Sequence, residues 1–139
     1  LGKSGTGKST HTGLWLQQFS DCHLLNDDNP IVHVDSLGKQ ATVFGSPWSG
    51  KTPCYRKESM TVGAFVRLEQ APQNEIEQER AAHAFATLLP SCSCLKQNKE
   101  IYNAIVTTVT ELATLAPVYH LKCLPDREAT ELCRKAVEG

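Results

Sequence analysis

Gly2-Lys3-Ser4-Gly5-Thr6-Gly7-Lys8-Ser9-Thr10 stands at the head of the chain and matches G-x-x-x-x-G-K-[ST] without a mismatch. Glycines at these places let the backbone turn its N–H groups inward around an anion, so this stretch is expected to hold nucleotide phosphates. Lys8 reaches the terminal phosphates in such a loop, and the Ser9 hydroxyl is placed to hold Mg²⁺. Thr12, Trp15, Leu16 and Phe19 then recur at helical spacing. They predict a helix from Ser9 to about Phe19 with one face on a sheet and its positive end toward the same anion. His11 falls on or near that face and reads as a core-edge histidine one turn past the loop. Phosphate loops normally leave a buried strand, and only Leu1 precedes this one, so the first strand is expected to lie upstream of these residues.

The acidic partner of such a loop is expected nearby. Cys22-His23-Leu24-Leu25-Asn26 is an apolar run that breaks at Asp27-Asp28-Asn29-Pro30, as a buried strand ending in a carboxylate-rich turn does. Adjacent carboxylates repel unless a cation or a shared proton relieves them. A strand end beside the loop is also where a metal-side carboxylate belongs.

Composition narrows the class. The chain has 139 residues, 40 % of them apolar, and 14 basic against 15 acidic side chains for a net charge of −1. That suits one globular domain over residues 1–139 and gives no field to recruit nucleic acid or an anionic membrane. No apolar run approaches the roughly 20 residues that span a bilayer. Six cysteines are scattered as in a reduced cytoplasmic protein, and Cys92-Ser93-Cys94 lacks the second knuckle of a zinc site.

Further along, Ile31–Asp35 and Gln40–Phe44 flank Ser36-Leu37-Gly38-Lys39 as a β-hairpin, which implies a mixed sheet in place of a helical crossover. Gly45-Ser46-Pro47-Trp48-Ser49-Gly50-Lys51-Thr52 repeats the loop expression, but Pro47 removes a donor and no amphipathic helix follows. This segment reads as a flap over the site, where Lys51, Arg56 and Lys57 serve either as a phosphate clamp or as plain surface charge. Thr61–Glu69 is apolar on both faces and reads as a central strand, within which a buried Arg67 would need a partner. Residues 73–79 fit an edge strand or a helix start. A helix containing Ala81, Phe85 and Leu88 stops at Pro90, and a longer one runs from about Asn98 to Ala116. Val118 to Leu124 alternates as a strand, and Asp126 caps a last helix.

The loop at Gly2–Thr10, followed by Leu24-Leu25-Asn26-Asp27-Asp28 and then by a hairpin, resembles the catalytic domain of HPr kinase/phosphorylase and the phosphoenolpyruvate carboxykinases. The resemblance implies a carboxykinase-like P-loop α/β domain, a mixed β-sheet flanked by helices, that uses ATP and Mg²⁺. It would make Lys8 the phosphate-binding lysine, Ser9 and Asp28 the metal ligands, and Asp27 the general base. Gly2, Lys3, Ser4, Gly5, Thr6, Gly7 and Thr10 would complete the nucleotide-binding set. The implied activity is transfer of the γ-phosphate to a hydroxyl acceptor on a protein or small molecule, in an enzyme that can be a homo-oligomer. Alternatives are a nucleotide-binding module without catalysis and a carboxykinase-like fragment. Arg56 to Gly63 does not reproduce the Glu-x-Arg-Gly-x-Gly stretch of HPr kinases, so the acceptor stays unnamed.

Overall fold

The computed structural model describes residues 1–2, 5–25, 30–35, 40–45, 59–92 and 98–138. Its elements in chain order are α1 (Lys8–Gln18), β1 (Ile31–Asp35), β2 (Gln40–Phe44), β3 (Ser59–Thr61), β4 (Phe65–Gln70), β5 (Glu75–Gln78), α2 (Ala81–Leu88), α3 (Lys99–Leu115), β6 (Val118–Cys123) and α4 (Arg127–Glu138). A short 3-10 turn at Leu89–Ser91 follows α2, with Pro90 in its first turn. The class is α/β, as expected.

Among the described residues there are two sheets in place of one mixed sheet, each of three strands: β1-β2-β3, and β4-β6-β5. The expected hairpin pairing is present, antiparallel with Val34 opposite Ala41 and Asp35 opposite Gln40. Its turn, residues 36–39, lies outside the described residues. In the second sheet β4 and β6 are parallel, with Leu68 beside Leu121, and β5 closes the other side of β6 antiparallel. Residues 73–79, which fit either a strand or a helix, therefore supply the edge strand β5.

Thr61–Glu69 does not form the single central strand read from its apolar run. It breaks at residues 62–64, so that Thr61 ends β3 in one sheet and Phe65 opens β4 in the other. The middle of the second sheet is β6, where Val118 and Leu121 are 1 % and 0 % exposed. Three residues apart on a strand, they point to opposite faces, so β6 is covered on both sides. One face joins Val118 to Ala84, Leu88, Val109, Leu112 and Ala41, a core of α2, α3 and the first sheet. The other joins Leu121 and Leu68 to Cys133, with Trp15 and Val137 against them, a core of α1 and α4.

Helix ends follow their local chemistry. Asn98 Oδ1 accepts from the Glu100 and Ile101 amides at 3.1 and 3.2 Å and starts α3. Asp126 Oδ1 accepts from the Ala129 amide at 3.0 Å and starts α4, the cap expected from sequence. In the β-branched run of α3, Thr107, Thr108 and Thr110 return their hydroxyls to the carbonyls four residues back, which satisfies the hydroxyls within the helix. Arg67 has the partner it needs: its Nε and Nη2 donate to Glu79 Oε1 at 3.4 and 3.3 Å, while Thr87 Oγ1 donates to Glu79 Oε2 at 2.6 Å.

The expected strand at residues 22–26 is not present in its described part. Cys22 N–H closes a turn onto the Phe19 carbonyl at 3.3 Å, and residues 22–25 join no ladder. Among the described residues, no helix is long and apolar enough to cross a membrane.

Candidate functional site

Leu1 fixes where the loop begins. Its nitrogen donates to the Val66 carbonyl at 2.7 Å, and its carbonyl accepts from the Leu68 amide at 2.9 Å. That pair of bonds is a one-residue parallel bridge to Arg67 on β4. The loop therefore leaves the chain alongside β4 and runs toward the carboxyl edge of the sheet, where ligands of parallel α/β sheets bind.

Conformation then explains the glycines. Gly2, Gly5 and Gly7 have φ of 144°, 86° and 97°, a region that L side chains rarely adopt. At Gly2 a Cβ would also stand 2.7 Å from Thr6 Oγ1 and 3.4 Å from the Leu68 carbonyl oxygen. Gly7 in the left-handed region is the N-cap of α1 and makes no side-chain cap bond. The first intrahelical bond runs from the His11 amide to the Gly7 carbonyl at 2.9 Å. Helical geometry offers the Ser9 and Thr10 amides no intrahelical acceptor. No acidic side chain stands in this first turn, so the positive end of the helix is left uncompensated by its own sequence.

Lys8 Nζ reaches back across the loop and donates to the Gly2 carbonyl at 2.7 Å. The structure thus brings Gly2, Gly5, Thr6, Gly7, Lys8, Ser9 and Thr10 into one turn of chain, with Ser9 and Thr10 exposed at its mouth. Lys3, Ser4, Asp27 and Asp28 lie outside the described residues, as does the segment read as a flap, with Lys51, Arg56 and Lys57.

Sequence reasoning missed the groups that hold the loop to the sheet. Gln70, the last residue of β4, donates from Nε2 to the Gly5 carbonyl at 3.2 Å. Its neighbour Glu69 has Oε2 2.6 Å from His120 Nε2, without the alignment of a hydrogen bond. The local signal was a polar pair closing an apolar strand, which by itself marks only a strand end.

Helix α1 is steered by side-chain contacts more than by burial, since none of its residues is fully buried and Leu16 is 41 % exposed. Leu16 thus does not join the packed face expected of it. Trp15 Nε1 donates to His11 Nε2 at 3.0 Å, which puts any proton of a neutral His11 ring on Nδ1, a buried atom with no hydrogen-bond partner among the described residues. Burial holds the His11 pKa below its usual range. At the far end of α1, Phe19 stacks edge-on against Trp15 and carries the Arg134 guanidinium 4.4 Å above its ring. Arg134 also grips Asp21 with two bonds of 3.0 and 2.7 Å, and that hydrogen bonding is the main reason the Asp21 carboxyl is held low.

Beside Lys8, a cavity of ≈ 540 Å³ opens between α1, β4 and α4, walled by Leu1, Trp15, Val66, Leu68 and Val137. Its walls are mainly apolar, unlike the amide-lined turn at residues 5–10. No protein-family model, curated protein or solved structure matches this chain.

Proposed function

We propose that the chain is an ATP- and Mg²⁺-dependent phosphotransferase of the HPr-kinase-like kind, passing the γ-phosphate to a hydroxyl acceptor. The observation that carries this reading is the turn itself. Glycines at positive φ, an uncompensated helix start and Lys8 converge at the carboxyl edge of a parallel strand pair. Amides and an ammonium so gathered favour a polyanion, and phosphoryl transfer asks a protein mainly for positioning and charge stabilisation.

Within this reading, the amides of the first turn of α1 cradle the β- and γ-phosphates. Lys8 exchanges its bond to the Gly2 carbonyl for phosphate oxygen. Ser9 is an exposed oxygen donor in the first turn of α1 and fits a hard cation, with Asp28 as the second ligand carried by the resemblance. When bound, Mg²⁺ neutralises charge on the terminal phosphates. Asp27 orients or deprotonates the acceptor hydroxyl.

Calorimetric titration with Mg·ATP tests the reading. Lys8→Ala is expected to weaken binding at least about tenfold, the scale of one charge-assisted contact. Wild-type affinity in Lys8→Ala would sink the proposal. Tight binding by the native chain with no transfer to any hydroxyl acceptor would instead favour a nucleotide-binding module without catalysis, and unchanged turnover in Asp27→Asn would remove Asp27 from the chemistry.

A further inference from the structure

The loop is attached to β4 at successive outward-facing positions. Phe65 N–H bonds the Pro117 carbonyl at 2.9 Å on the β6 side, so the backbone groups of residues 66, 68 and 70 face the other way. Val66 and Leu68 bond Leu1 through their backbones, and Gln70 reaches Gly5 through its side chain. Gly2 and Gly5, both at positive φ, stand at those attachments. Gly5 is exposed, has φ of 86°, and a Cβ built on it would meet nothing within 4 Å, so no packing sets its orientation.

One bond does. A trans peptide unit is planar, and its C=O and N–H point in opposite directions. The Gly5 carbonyl belongs to the same unit as the Thr6 amide. With that carbonyl drawn toward Gln70 at 3.2 Å, the Thr6 N–H is turned away from the end of β4.

We propose that Gln70 is a positioning residue of the phosphate loop, which aims the Thr6 amide at the bound anion by holding the Gly5 carbonyl. This rests on the reading of the loop as a nucleotide phosphate site. Gln70 itself touches no phosphate. It restricts in advance the rotation of the Gly5–Thr6 peptide unit by holding its carbonyl end, which lowers the ordering cost of binding.

The test compares the native chain with Gln70→Met, of similar length without a donor, and with Gln70→Glu, which sets a carboxylate against the carbonyl. Mg·ATP and inorganic triphosphate are the titrants. Dissociation constants for both are expected to rise about three- to tenfold in Gln70→Met, the range of one exposed neutral hydrogen bond, and further in Gln70→Glu. The thermal midpoint should stay near that of the native chain, because the bond is solvent-exposed. The Thr6 amide resonance, read without any nucleotide, should move in both variants. Native affinity in Gln70→Met, or an unmoved Thr6 resonance, overturns the inference. A native chain that binds neither titrant overturns the phosphate reading first, and with it the role given to Gln70. Binding by the native chain with unchanged Gln70 variants overturns the role alone.

Discussion

At the scale of single residues, the loop depends on what glycine permits. Gly7 has φ of 97° and open space where a Cβ would go, so Gly7→Ala meets no clash and only a conformational penalty. That penalty is expected to lower stability by about 1–2 kcal/mol, measured by urea unfolding. A loss under about 0.3 kcal/mol would show that the loop relaxes to another turn. His11 gives a pH dependence of known sign. The unfolded ring titrates near 6.5, and the folded ring, desolvated by burial, titrates lower. Between those values the unfolded chain binds more protons, so stability rises with pH through the window and is lost as pH falls below 6.5. His11→Gln keeps an acceptor for Trp15 and is expected to flatten the part of the profile below about pH 6.5. Identical profiles for the two proteins would mean that His11 is not the titrating group.

Elements answer to their ends and their neighbours. Asn98 caps α3 through two amides, and the bonds are exposed, so Asn98→Ala is expected to cost about 1 kcal/mol. Hydrogen exchange should show the loss confined to the first turn of α3. Fraying that spreads into Val109 would contradict a purely local role. The 17-residue length of α3 outweighed its β-branched run, and its hydroxyls found acceptors inside the helix. By the same logic, the short apolar run after α1 had no length to insist on a strand. Its neighbour Asp21 is held by Arg134 of α4, and Cys22 turns back on Phe19. Local apolarity alone could not say which backbone would lie beside it.

For the whole molecule, β6 is the shared wall between two cores. Leu121 is 0 % exposed and packs with Leu68 and Cys133, so Leu121→Ala is expected to cost about 3 kcal/mol by transfer and cavity terms together. Because Val118 on the same strand belongs to the other core, both cores should melt together. Far- and near-ultraviolet signals that separate in Leu121→Ala would refute that coupling.

Sequence by itself determined the pieces whose cause is local. The loop expression, the glycines, the cap at Asp126, the start of a helix near Asn98, the stop at Pro90 and the hairpin partners were legible because backbone conformation and near-neighbour bonds decide them. Tertiary structure alone decided that Thr61–Glu69 divides between two sheets, that β6 is central, and that the loop hangs from β4 through Leu1 and Gln70. Those outcomes rest on contacts spanning up to 65 residues, and whether an apolar strand is central or marginal depends on which other strands pair with it.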